Sequence, residues 1–271
     1  AAKRKAIRAA LGRMELEGTA VTVDFREEGE AGVRLLRQAA QGSRVRVVIL
    51  GRPLRRPIDR DELAALLSVA DGIGLSSARD ETGTTRRTIA RACRAAGKRF
   101  ALHASEAVRE RPDTYLDPRP DLLVHLARAS VEDLATVAEA RVSVAVCPRS
   151  NALFGRQPDL AAMERCGVAL LLGTDNAMFN APSIWRELEF AYLGTRLRGR
   201  PVSAGYLARA ALVEPYRWLG TPEAASIAVG APCRPLVLRL PPDDPEYQVV
   251  TRATEHLIVR PARPRSPSEV P

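Results

Sequence analysis

The chain has 271 residues, 46% of them hydrophobic, and carries a formal charge of +9. That length suits one large core, of the order of the ~250 residues in an α/β barrel, and no apolar run approaches the ~20 residues that span a bilayer. Of the 41 basic residues only Lys3, Lys5 and Lys98 are lysines; the arginines are scattered and aromatics amount to 4%, which argues against a clustered nucleic-acid surface.

The chain opens at Ala1, and Lys3–Leu11 already reads as the interior of a helix. The expectation is a chain lacking its true N-terminal part. No charged-then-apolar leader is visible. The four cysteines (Cys93, Cys147, Cys166, Cys233) show no C-x-x-C spacing, so buried free thiols in a reducing cytoplasm are expected.

In chain order, Gly18–Phe25 predicts a strand and Glu30–Gln41 a helix. Arg44–Leu50, rich in Val, is the next strand, followed by the helix Asp61–Ala70 with apolar spacing of three and four. Gly72–Ser76 predicts a short strand, Thr84–Ala96 a helix and Arg99–His103 a strand. A connector with Pro112, Pro118 and Pro120 leads to the strand Asp121–Leu126. Ser130 and Asp133 have the spacing of an N-cap and its third helical position, opening the helix Val131–Ala140. Val142–Cys147 and Val168–Leu172 are strands around the helix Asp159–Cys166; Ser183–Leu197 and Ala204–Leu219 are helices. After Gly220, Pro235–Leu240 and His256–Val259 read as short strands without helices, and Pro261–Pro271 as a disordered tail.

Strands alternating with helices of roughly ten residues predict a parallel α/β sheet. Seven strands are countable; a closed (β/α)₈ barrel of the TIM type needs eight, and the missing one is placed ahead of Ala1. A doubly wound sheet would accept seven, but Gly72-Ile73-Gly74 is followed by no third glycine opening a helix. The expected organisation is a barrel over residues 1–220, a small β appendage over 221–260 and a tail over 261–271.

The chain has three histidines. His103 and His125 end successive strand-like runs, Glu106 follows His103 by three, and Asp175 ends a third run. Strand C-termini converge on one mouth of such a barrel, where catalytic groups sit. Imidazole and aspartate are ligands for zinc or ferrous iron. A metal lowers the pKa of bound water towards ~7; Glu106 can move a proton from that water to a leaving nitrogen, and His125 can orient the attacking group or stabilise charge. Taken singly, each is also readable as a satisfied core histidine, a surface glutamate or a helix cap.

The segments Leu102-His103-Ala104-Ser105-Glu106, Leu123-Val124-His125-Leu126, Val146-Cys147-Pro148-Arg149-Ser150-Asn151 and Leu172-Gly173-Thr174-Asp175-Asn176 resemble the amidohydrolase superfamily, in its cytosine deaminase, chlorohydrolase and adenosylhomocysteine deaminase branch. The resemblance covers about Gly18 to Val259. It implies a metal-dependent hydrolase acting on C–N bonds, an aminohydrolase of a nitrogen heterocycle such as a nucleobase or nucleoside derivative. It implies His103 and Asp175 as metal ligands, Glu106 as proton shuttle and His125 as a second catalytic residue. Ser150, Asn151 and Asn176 would face substrate, with a proline turn and polar cap as the alternative for the first two; Gly173 and Thr174 would shape the turn presenting Asp175. It implies one divalent metal ion, zinc before iron, and a C-terminal remnant of a small β-sandwich domain. The implied partners are a small-molecule substrate, with no nucleic acid and no membrane, and a homo-oligomer is open. The family's first-strand His-x-His pair is absent; either it precedes Ala1, or the chain is a metal-free barrel that binds a ligand or partner subunit.

Overall fold

The computed structural model describes residues 2–229 and 235–259. Helix α1 (Ala2–Leu16) leads into β1 (Val21–Arg26), and helices and strands then alternate: α2 (Gly29–Ala40), β2 (Arg46–Gly51), α3 (Arg60–Val69), β3 (Gly72–Leu75), α4 (Gly83–Ala95), β4 (Arg99–Ala104). The short α5 (Pro112–Leu116) precedes β5 (Leu122–His125), α6 (Val131–Glu139) and β6 (Ser143–Val146). Next come α7 (Pro148–Leu153), α8 (Leu160–Cys166), β7 (Leu170–Leu172), α9 (Ile184–Leu197), α10 (Ala204–Leu212) and α11 (Glu214–Leu219). The seven strands lie side by side in chain order, all parallel. This is the curled parallel sheet of a TIM-type barrel, with every predicted strand present to within a few residues.

The strands from β2 to β7 are mostly apolar because both faces are covered. Outward residues such as Ile49, Ile73, Phe100, Leu102, Leu123, Val144 and Leu170 pack with Leu36, Leu66, Ile89, Leu134 and Met163 of the helices. Their neighbours in alternation, Val48, Leu50, Ala101, Leu122 and Leu171, form a smaller inner cluster with Val23, Phe25 and Trp218. Trp218 of α11 enters this cluster, donates from Nε1 to the Asp121 carbonyl at 3.0 Å and lies under the Arg99 guanidinium. The Asp71 and Asp121 carboxylates accept from Ile49 N–H and Phe100 N–H, both at 2.8 Å, extending the ladders at the strands' N-terminal ends.

Three expectations need correction. Ala204–Leu219 is two helices, broken at Val213 ahead of Pro215, whose ring nitrogen cannot donate within a helix. The connector holding Pro112 contains a short helix that begins at that proline, and Pro148, for which a turn is the alternative reading, likewise begins a short helix, where a missing N–H costs nothing. The region after Gly220 is not helix-free: α12 (Pro245–Arg252), capped by Asp244 accepting from Tyr247 N–H, buries Val250 and sets Tyr247 edge-on to Tyr192 of α9. The strands there are two residues each, β8 (Val237–Leu238) and β9 (Ile258–Val259), paired antiparallel. Cys233 and the tail 261–271 lie outside the described residues.

Candidate active site

His103 lies near the end of β4, in the same inward alternation as Ala101. Its Nδ1 is 2.8 Å from the Leu75 carbonyl. A carbonyl only accepts, so Nδ1 carries the hydrogen and Nε2 presents a lone pair. Burial, then the neighbouring His125, push its pKa down to about 4, so the ring is neutral at physiological pH. The Phe25 ring stands edge-on to it at 4.7 Å.

His125 should point outward with Leu123 if β5 kept its alternation. It adopts φ +77°, as few non-glycine residues do, and its ring reaches the site, 5.2 Å from that of His103. Its tautomer follows from a chain of partners. Cys147 N–H can only donate, and does so to Asn151 Oδ1 at 3.2 Å. Asn151 Nδ2 therefore faces His125 Nδ1 as donor at 3.1 Å. The His125 Nε2–H is left facing Glu106 Oε2, 3.8 Å away. Burial lowers the His125 pKa, with Glu106 and Asp175 acting against it.

Glu106 is half-buried between His125 and Arg156, whose Nη1 donates to Oε1 at 3.0 Å. Asp175 follows β7 at φ +58° and accepts from Ser150 Oγ at 2.5 Å. The start of α7 thus supports two groups at once, with Ser150 on Asp175 and Asn151 on His125. A buried pair behind it fixes that helix: Glu187 of α9 accepts from Arg149 N–H at 2.9 Å and from its Nε at 2.7 Å.

The structure therefore brings His103, His125, Glu106, Asn151, Ser150 and Asp175 to one end of the sheet. Asn176 stands apart: it is exposed, and its Oδ1 accepts from Met178 N–H at 2.8 Å. Arg156 was not foreseen, because it lies on a loop with no local signal, and neither was Glu110, whose carboxylate holds Ser105 N–H at 2.6 Å. Cys147 lies buried beneath Gly173, and burial raises its thiol well above the ordinary range, which suits packing rather than nucleophilic work. His256 is exposed beside Glu255, away from this cluster. A cleft lined by Arg37, Asp71 and Lys98 lies at the strands' other end.

His103 Nε2 and the Asp175 carboxylate are donors of types that suit a divalent metal, and the Leu75 carbonyl fixes the imidazole as a second shell does. They do not close a shell: among the described residues no group of three or more His, Cys, Asp or Glu is placed to hold a metal ion. Among the same residues, no helix is long and apolar enough to cross a membrane.

A Methanothermobacter thermautotrophicus protein named "putative aminohydrolase" is 36% identical over 211 residues, 71% of this chain and 55% of its own length. An Archaeoglobus fulgidus protein of the same name is 32% identical over 64% of this chain and 49% of its own length. The chain thus spans about half the length of these relatives. Among solved structures, an adenosine deaminase from Xanthomonas campestris with bound zinc superposes with a TM-score of 0.74 at 18% identity, covering 93% of this chain and 66% of that one. The atrazine chlorohydrolase of Arthrobacter aurescens complexed with zinc gives 0.70 at 16% identity, covering 91% and 67%. At these identities the superpositions speak for the fold. The family model for the amidohydrolase family matches residues 2–253, and the chain belongs to that family.

Proposed function

We propose that this chain carries part of the active site of a metal-dependent hydrolase that cleaves C–N bonds, and that the reaction is the deamination of an aminated nitrogen heterocycle such as a nucleobase or nucleoside derivative. The observation that carries this reading is the placement of Glu106 beside a tautomer-fixed His125 and near a neutral His103 with an open Nε2. The names of the relatives and of the adenosine deaminase fold neighbour support the choice of an amine leaving group.

In this reading His103 and Asp175 supply two donors to one divalent ion, zinc before iron, a choice supported by the zinc in both fold neighbours. When bound, the ion would supply Lewis acidity and an acidified water. Glu106 holds and returns the proton at its carboxylate. Arg156 donates to that carboxylate from Nη1 and holds it beside His125. His125 offers its Nε2–H to developing negative charge, oriented by Asn151. Ser150 aims Asp175 rather than meeting substrate itself.

The test uses the protein expressed from its complete gene. Glu106→Gln fills the same space but cannot take up and return a proton, so it should retain metal and lose roughly 10²- to 10⁴-fold in turnover. His103→Ala should lose metal and turnover together. Bound metal is measured by elemental analysis, and turnover as ammonia released from adenine, adenosine, cytosine and guanine. Near-normal turnover by Glu106→Gln would remove the shuttle assignment; a metal-loaded parent inactive on all four would remove the proposed substrate class.

A further inference from the structure

We propose that Glu110 is a positioning residue for the Glu106 carboxylate and acts through the backbone of Ser105. The inference rests on the reading of Glu106 as proton shuttle.

Ser105 joins the end of β4 to Glu106. It is fully buried, with φ +46°. A non-glycine residue persists in that region where its surroundings over-determine it. Here they do. Ser105 N–H donates to Glu110 Oε2 at 2.6 Å, and Glu110 N–H donates back to Ser105 Oγ at 2.9 Å. The Ser105 hydroxyl faces the Glu110 carbonyl at 3.3 Å, and the Ser105 carbonyl accepts from Arg128 N–H at 2.7 Å. Every polar group of Ser105 is occupied, and three of its four contacts are to Glu110.

Glu110 is itself 8% exposed, unusual for a carboxylate unless it is partnered. Its second oxygen lies 3.3 Å from Arg79 Nε. The preceding residue is anchored independently: Arg109 makes a two-pronged bridge to Asp133 at 2.7 and 2.8 Å. Asp133 is the residue that closes the capping box of α6. Residues 105–110 thus form a loop closed on itself and fastened to α6, and Glu106 is the residue it presents to His125 and Arg156. Without the Glu110 carboxylate, Ser105 N–H is buried with no partner, φ at +46° loses its charged acceptor and keeps only the contacts to the Glu110 backbone and Arg128 N–H, and the Glu106 carboxylate is presented less firmly to His125.

A merely structural role would lower stability without acting through Glu106. The experiment therefore compares Glu110→Ala and Glu110→Gln, each alone and with Glu106→Gln, in the metal-loaded protein from the complete gene. The readouts are ammonia release from the substrate panel above and amide hydrogen exchange of the peptide spanning residues 104–107. Glu110→Ala should lower kcat by about 10- to 100-fold, the scale of a misplaced catalytic group, with KM and bound metal unchanged. Glu110→Gln still accepts from Ser105 N–H and should stay near the parent. In the Glu106→Gln background, Glu110→Ala should cause no further loss, since its effect is already spent. Exchange at 104–107 should quicken in Glu110→Ala and stay parental in Glu110→Gln. Glu110→Asp keeps the charge facing Arg79 but falls short of Ser105; it should behave like the alanine variant and serves if that variant does not fold. An undiminished loss in the Glu106→Gln background, unchanged exchange in both Glu110→Ala and Glu110→Asp, or a Gln variant as damaged as the Ala variant would each overturn the inference. Near-normal turnover by Glu106→Gln alone would overturn the shuttle reading first, whereas a disabled Glu106→Gln beside an unimpaired Glu110→Ala would overturn only the role of Glu110.

Discussion

His103 is a base held neutral by its surroundings, and its titration is measurable without any substrate. Its pKa in the folded protein, about 4, lies below the 6.5 of an ordinary histidine. Between those values the unfolded chain binds a proton that the folded chain does not, so stability rises with pH across the window. In metal-free protein, His103 alone should cost roughly 3 kcal/mol of stability as pH falls from above 6.5 to below 4. Urea denaturation at several pH values checks this. The parent midpoint should fall more steeply between pH 6.5 and 4.5 than that of His103→Asn; equal slopes would mean that the ring is hydrated in the folded state. That His103, His125, Glu106 and Asp175 lie at one end of the molecule was legible from their positions at strand ends. That His125 turns inward was not, because φ +77° reverses its alternation and nothing in Leu123-Val124-His125-Leu126 announces it. The partners are Asn151, 26 positions away, and Arg156, 50 positions from Glu106; such distances leave no trace in local spacing.

At the scale of elements, β3 shows why two of its four residues are glycine. A Cβ on Gly74 would meet the Phe25 ring at 2.4 Å and Leu50 Cβ at 3.2 Å, and one on Gly72 would meet the Arg99 carbonyl at 2.2 Å. Phe25 crosses β3 on its inner face to reach His103. Gly74→Ala should therefore cost about 1–3 kcal/mol as an overpacked site. Phe25→Leu should recover part of that loss in the double variant, because the two positions share a contact. Urea midpoints of the four-member cycle measure the coupling, and strict additivity would show that Phe25 is not the obstacle. In the sequence the same glycines could only be judged as failing to make a phosphate-binding turn. Helix ends were more legible: the Ser130–Asp133 capping box is present as its spacing predicts, since a cap is a contact between residues three apart. The proline-initiated helices were hidden because they are five to eight residues long, too short to show an apolar period.

At the scale of the whole molecule, β1 and β7 are the edges of the seven-stranded sheet, each with a strand partner on one side only among the described residues. All of β1 is half-buried, whereas β3 and β5 are buried throughout. The outer elements nonetheless hold the two sides of the sheet to each other. Trp185 of α9 donates to the Glu17 carbonyl at 3.0 Å, and Arg13 of α1 bridges Glu17 and Glu255, each at 2.7 Å. Native-state hydrogen exchange of the 271-residue chain should find β3, β4 and β5 most protected and β1 and β7 opening first, since unpaired edges open at lower cost. Uniform protection across the seven strands would show that both edges are covered in solution. The order of the seven strands, the longer helices between them, the parallel sheet and the end of it where His103, His125, Glu106 and Asp175 gather were determined by the sequence itself, because apolar periodicity, capping and strand-end position are properties of neighbours along the chain. Which way His125 faces, which carboxylate holds Ser105, why Gly74 has no side chain and where α12 packs were decided by the tertiary structure alone. Each depends on atoms brought together from distant positions, whose short-range hydrogen bonds and steric contacts exist only once the sheet has curled.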